Sequence, residues 1–205
     1  MTTPRPSLDD LRRARGEGWE WPRAATDECP QCGLHAGAQA PEALGAMAVE
    51  LAADWREFLE TADEHYLRTN PEPGVFSPIQ YGAHVRDILR VYGDRVLLAI
   101  AEDDPEVPTF HPSEDVWNAY NALDCDALAA DLEAQADRLA AILDGLEDDA
   151  WSRTVTRTAL VEGTDAVYRF TVAGIASYAV HEAHHHLLDA DGTIPIGGQS
   201  GSAPA

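Results

Sequence analysis

From Pro41 onward the chain sets apolar side chains at Leu44, Met47, Leu51, Trp55, Phe58 and Ala62, a 3-4-4-3-4 spacing. That rhythm puts all six on one stripe of an α-helix, and a stripe of this width needs a partner surface to bury it. The first helix is expected over residues 41–67, with Pro41 in its first turn and Asn70-Pro71-Glu72-Pro73-Gly74 breaking the chain after it. Ser77-Pro78-Ile79-Gln80 opens a second helix with an N-cap serine, a proline at the first helical position and a glutamine that completes a capping box. Along it Tyr81, His84, Ile88, Val91 and Arg95 share a face, and Asp103-Asp104-Pro105 ends it near Glu102. A third stripe, Leu128, Leu132, Leu139 and Ile142, predicts a helix over 126–143 that stops at Gly145. A fourth helix is expected over 171–190, closed by Asp191-Gly192 and Pro195. Four long helices joined by unequal connections predict an all-α fold, a four-helix bundle with long crossover connections.

The connections carry their own expectations. Residues 103–125 read as a long loop with a short helix over 113–120. Thr154 to Thr158 is β-prone, Glu162-Gly163-Thr164-Asp165 signals a turn, and Ala166 to Phe170 returns, giving a small β-hairpin before the last helix. Residues 1–40 lack helical periodicity but hold Trp19, Trp21, Cys29 and Cys32, so they are expected to form an irregular N-terminal arm packed on the bundle. The bundle then occupies 41–192, and the Gly/Ser-rich end makes 193–205 a flexible tail.

The net charge is -22, and all 14 strong bases are arginine. Such a field disfavours nucleic acid and anionic membrane surfaces. Acidity without lysine fits the codon bias of a GC-rich genome or adaptation to salt. No run approaches the roughly 18 apolar residues of a membrane span. Residues 1–18 are charged and lack the apolar core of a signal peptide. The 3 cysteines do not make a disulfide framework. A cytoplasmic location is the expectation.

Chemistry concentrates in His181-Glu182-Ala183-His184-His185-His186. On a helix His181 and His185 are one turn apart, with Cβ atoms about 5–6 Å from each other. Two neutral imidazoles at that spacing suit a divalent ion such as zinc, copper, iron or nickel. Gly174, Tyr178, His181, His185 and Leu188 are expected to face inward, with His184 near that face and His186 turned away. A third ligand would come from His84 on the second helix. Burying such rings without partners would cost roughly 1–3 kcal/mol each, which a metal removes. From the residues alone a second reading stands: a solvated, polar helix end without a ligand, since His-x3-His recurs by chance and a lone histidine on an apolar face is commonly a hydrogen-bonded core residue.

The segments Ser77-Pro78-Ile79-Gln80-Tyr81-Gly82-Ala83-His84-Val85-Arg86-Asp87 and Val180-His181-Glu182-Ala183-His184-His185-His186 together resemble the DinB-like superfamily. In particular they are similar to its actinobacterial branch, near the metal-binding domain of mycothiol-dependent maleylpyruvate isomerase. The resemblance spans residues 41–190. It implies a four-helix bundle holding a divalent metal, zinc or nickel, on one histidine of the second helix and two of the fourth; here these are His84, His181 and His185. It further implies a thiol S-transferase or isomerase that uses a low-molecular-weight thiol such as mycothiol or bacillithiol. Two features depart from the pattern: the extra His184 and His186, which leave the ligand choice open, and Glu182 where an aspartate is expected.

Three neutral imidazoles would leave a metal with an open position for a thiol, which coordination keeps as thiolate for attack on an electrophilic carbon. Asp87 and Glu182 are candidate carboxylates for the outward ring nitrogens and as readily surface helix charges; Tyr81 reads first as a core aromatic and second as a pocket residue, and Arg86 and Arg169 read first as surface residues and second as partners of a substrate carboxylate. Cys29-Pro30-Gln31-Cys32-Gly33-Leu34-His35 has knuckle-like spacing. It admits a structural zinc site with His35 if one more ligand arrives, a redox pair, two reduced cysteines at a tight turn, or an arm that folds over the bundle mouth and brings its thiols to the metal. The expected partners are a small thiol and an electrophile, with a homodimer conceivable. The contrasting function is a non-catalytic metal-binding bundle acting as a sensor or interaction protein.

Overall fold

A computed structural model describes residues 25–110, 112–161 and 164–194. Two 3₁₀ turns, Ala36–Ala38 and Pro41–Ala43, lead into α1 (Leu44–Thr61). There follow α2 (Glu64–Arg68), α3 (Pro78–Ala101), α4 (Glu114–Tyr120), α5 (Cys125–Asp144) and a 3₁₀ turn at Asp148–Ser152. The strands β1 (Thr154–Val161) and β2 (Thr164–Thr171) then precede α6 (Val172–Ala190). The expected tail from Pro195 on, and the expected packing of Trp19 and Trp21, lie outside the described residues.

The four long helices, α1, α3, α5 and α6, are those the apolar stripes predict. α1 packs on α5 and α6, and α3 packs on the same two. The pairs α1/α3 and α5/α6 therefore sit across the bundle, so the chain crosses it by way of α2 and again by way of the hairpin. Trp55, Leu89, Leu128, Leu132, Leu139 and Ile175 are fully buried between the layers. Among the described residues no helix is long and apolar enough to cross a membrane.

Local chemistry explains where the elements begin. The first helix is shorter than its stripe suggests. Asp63, in extended backbone, accepts a hydrogen bond from the Tyr66 amide, so the chain breaks after Thr61 and restarts as α2. Asp124 and Thr171 cap α5 and α6 in the same way. At the start of α3 the Gln80 side chain accepts from the Ser77 amide at 2.9 Å, one arm of the expected capping box. The Ser77 hydroxyl donates to Asn121 Oδ1 at 2.6 Å, tying α3 to the end of α4. The hairpin pairs Thr154 with Thr171 through Val161 with Thr164, so both strands run closer to the turn than the expected 154–158 and 166–170.

Candidate metal centres

At one end of the bundle α6 presents two stripes of side chains, each a turn-spaced pair. Glu182 and His186 face α3, where they meet His84; the ligand atoms of these three lie within 4.8 Å of one another. His181 and His185, one residue back, face the N-terminal arm, and their ligand atoms lie within 4.8 Å of those of Cys29 and Cys32. The histidines expected to act together are therefore divided. His84 joins Glu182 and His186, and not His181 and His185. The reason is rotational: successive helical residues diverge by about 100°, so a shift of one residue selects a different neighbour. The ring of His186, expected to turn away, sits 5.0 Å from Tyr81 and 5.3 Å from His84, centroid to centroid.

Around His84 the wall is aromatic. Its ring lies 5.1 Å from Trp117 and 6.1 Å from Phe110, and Trp117 stacks on Phe76 at 3.8 Å. Gln80 holds this wall by donating to the Trp117 carbonyl at 2.9 Å. Tyr81 lies between Phe76 and His186, its ring 5.5 Å from the first and 5.0 Å from the second. Asp87, one of two candidate carboxylates for a ring nitrogen, accepts from Tyr120 at 2.5 Å and from Arg86 at 3.0 Å. Arg169 pairs with Asp104. Both candidate arginines thus have intramolecular partners.

Glu182 joins the two clusters. One carboxylate oxygen lies 3.3 Å from His186 Nε2 and 3.6 Å from His84 Nε2, and the other lies 3.6 Å from His181 Nδ1. Burial opposes its charge, yet His186, His181 and His84 hold it well below the usual carboxylate range. His186 also meets Asp189, its Nδ1 lying 2.8 Å from the carboxylate. Burial disfavours the imidazolium, but Glu182 and Asp189 outweigh it and push the pKa up to about 10. For His184 the direction reverses: burial, then the fields of His181 and His185, lowers it, and it joins neither cluster.

On the arm side, Cys29 to Leu34 form a knuckle. The Gly33 amide donates to the Cys29 carbonyl at 2.8 Å, and the Cys29 amide to the Leu34 carbonyl at 3.0 Å. Gly33 adopts φ +72°, a left-handed conformation suited to glycine. Both cysteines are free thiols, and Cys29 is buried. Cys29 Sγ lies 3.6 Å from His185 Nδ1. Hydrogen bonding from Cys32, against burial and assisted by His181 and His185, holds the Cys29 thiol far below its ordinary value, while the same bond holds Cys32 far above it. Burial lowers His181, but Cys29 and Glu182 outweigh it and raise the pKa to about 9. His35 does not join this group; its ring bonds the Thr26 carbonyl at 2.9 Å.

The donor chemistry fits divalent metals on both sides. Two imidazoles and a carboxylate form a three-donor set that leaves coordination positions open, and two thiols with two imidazoles form a zinc-type set of four. Sequence reasoning ranked His186 below His181 and His185 and turned it away from their face, although Glu182-x3-His186 has the same spacing as His181-x3-His185. The signal was present, but a second imidazole is the more familiar partner, and only the tertiary contact with α3 ranks the two pairs.

A model of the DinB superfamily matches residues 47–190. Among solved structures the fold is similar to that of YfiT from Bacillus subtilis, described as a probable metal-dependent hydrolase with an unusual four-helix bundle topology. That likeness has a TM-score of 0.62 at 20% identity and covers 74% of this chain and 83% of that one. No curated protein matches. The family match takes in all four long helices and both stripes of α6, and the chain belongs to the DinB superfamily.

Proposed function

We propose that this protein is a divalent-metal-dependent enzyme that transfers a low-molecular-weight thiol to an electrophilic carbon, or isomerises a substrate through such an adduct. The observation that carries the reading is the meeting of His84, Glu182 and His186 from two helices, beneath the wall of Tyr81, Phe110 and Trp117. A divalent ion bound there, zinc or nickel, would supply Lewis acidity and hold a thiol sulphur as thiolate at neutral pH. The protein's own residues set the conditions for that chemistry. The Glu182 carboxylate offsets one unit of positive charge, so the site is less electrophilic than one built from three neutral imidazoles. Asp189 fixes the His186 ring through Nδ1, leaving Nε2 directed at Glu182 and the site. The Tyr81 stack restricts the same ring. Phe110 and Trp117 exclude water and suit an apolar or conjugated electrophile. A cytoplasmic location, where such thiols are abundant, belongs to this proposal.

The test is incubation of zinc- or nickel-loaded protein with mycothiol or bacillithiol and a panel of electrophiles, with conjugate measured by mass spectrometry. Conjugate should form, and His84→Ala should lower its rate on the order of 100-fold or more, since even groups behind a metal ligand are worth 10–100-fold. Equal rates in parent and variant would defeat the proposal. A product carrying water in place of thiol would assign the site to hydrolysis. One observation favours a second, non-catalytic reading: His186 bridges Glu182 and Asp189 as a buried ion-pair network that is electrostatically complete by itself. That reading requires His84→Ala to leave metal content unchanged.

A further inference from the structure

The three-donor set leaves the other stripe of α6 unused. His181 is buried, and among the described residues neither of its ring nitrogens has a hydrogen-bond partner. Facing it and His185 is the Cys29–Cys32 knuckle, from a segment 156 residues away in sequence at its Cys29–His185 contact. With Zn–S near 2.3 Å and Zn–N near 2.0–2.1 Å, the donors of a tetrahedral zinc site lie roughly 3.4–3.8 Å apart. Cys29 Sγ and His185 Nδ1 are already 3.6 Å apart. The outward nitrogens point the right way for such a site. His185 Nε2 lies 3.6 Å from Asp189, and His181 Nδ1 lies 3.6 Å from Glu182. A carboxylate behind each ring is the usual support of a metal-ligating histidine, because it fixes the tautomer and presents the other nitrogen to the ion.

We propose that Cys29, Cys32, His181 and His185 bind one zinc ion in a closed tetrahedral set that clamps the N-terminal arm to α6, a site separate from the His84–Glu182–His186 set. Four protein donors complete the coordination of zinc, which makes the site structural, with no position for substrate. Its consequence is mechanical. The knuckle, the Ala36–Ala38 turn and α6 become one unit, and the rotation of α6 that points Glu182 and His186 toward His84 is fixed from the opposite side.

The experiment uses full-length protein without a polyhistidine tag, kept reduced and loaded with cobalt(II) or zinc alone. The cobalt protein should show a thiolate-to-cobalt charge-transfer band in the near ultraviolet and intense tetrahedral bands in the visible. Cys29→Ser and Cys32→Ser should each remove that charge-transfer band or reduce it severalfold, while Cys125→Ser and His84→Ala should retain it. X-ray absorption of the zinc protein should find sulphur neighbours at about 2.3 Å, and zinc should slow amide exchange across residues 25–38. Wild-type protein without the thiolate band, a band that survives both cysteine variants, a zinc spectrum without sulphur, or arm exchange indifferent to zinc would each overturn the proposal. The optical and absorption readings on wild-type protein stand even where a cysteine variant fails to fold. They are also independent of any thiol-transfer activity, so the clamp and the catalytic reading can fail separately.

Discussion

At the scale of single residues, Glu182 organises the site. Its carboxylate lies against His84, His181 and His186 at once, so its charge is shared between both stripes of α6. Glu182→Gln keeps the shape and removes the charge. It should weaken metal binding at the His84 set by about 10–100-fold, readable by competition with a chromophoric chelator. Unchanged affinity there would exclude Glu182 as a ligand. A second residue with a measurable role is Asp104, which adopts φ +47°, a conformation aspartate tolerates better than most residues. It accepts from Thr154 and Thr156 and pairs with Arg169. Hydrogen bonding from Thr154, against some desolvation and assisted by Arg169, holds its carboxyl below the ordinary value. A depressed folded value means that the stabilisation is fully present above the unfolded pKa of about 3.9 and is lost as pH falls through the folded one. Denaturation midpoints should therefore show Asp104→Asn less stable than the parent at neutral pH, with the gap closing below pH about 4. A gap that widens in acid would contradict the assignment.

Among the elements, the start of α3 governs the aromatic wall. Gln80 is buried and accepts from the Ser77 amide and from Asn70 while donating to Trp117. Gln80→Leu removes the partner of the Ser77 amide and of the Trp117 carbonyl, while Asn70 keeps its bond to the Val75 carbonyl. It should cost on the order of 1–3 kcal/mol per orphaned group in chemical denaturation, and it should weaken thiol transfer by releasing Trp117. A loss of stability with activity intact would detach the wall from the mechanism. Between α1 and α5, Gly45 permits close approach: a Cβ there would meet the Ala140 Cα at 3.1 Å. Gly45→Val should lower stability by about 1–3 kcal/mol through overpacking, visible as a reduced thermal midpoint. The extents of α3, α5 and α6 were legible from capping residues and apolar stripes. The break of α1 at Asp63 was not, because its stripe continues across the break and only the side-chain cap interrupts the backbone.

For the whole molecule, a net charge of -22 sets a self-repulsion that salt relieves. The thermal midpoint should rise as sodium chloride increases from about 0.01 to 0.5 M, where the screening length falls from about 30 Å to a few ångströms. A flat or falling midpoint would mean that local ion pairs, such as Arg56 with Glu133, outweigh the general repulsion. The sequence by itself determined four amphipathic helices, a hairpin before the last of them, and a histidine-rich end on α6. Those follow from local rules, the 3.6-residue period and the chemistry of helix caps, which act within a few neighbours. Only the tertiary structure decided which stripe of α6 meets α3 and which meets the arm. Two stripes one residue apart have the same spacing and nearly the same polarity. Their partners, His84 and Cys29, lie about a hundred residues or more away along the chain, so the choice rests on how the helices are rotated when the core closes.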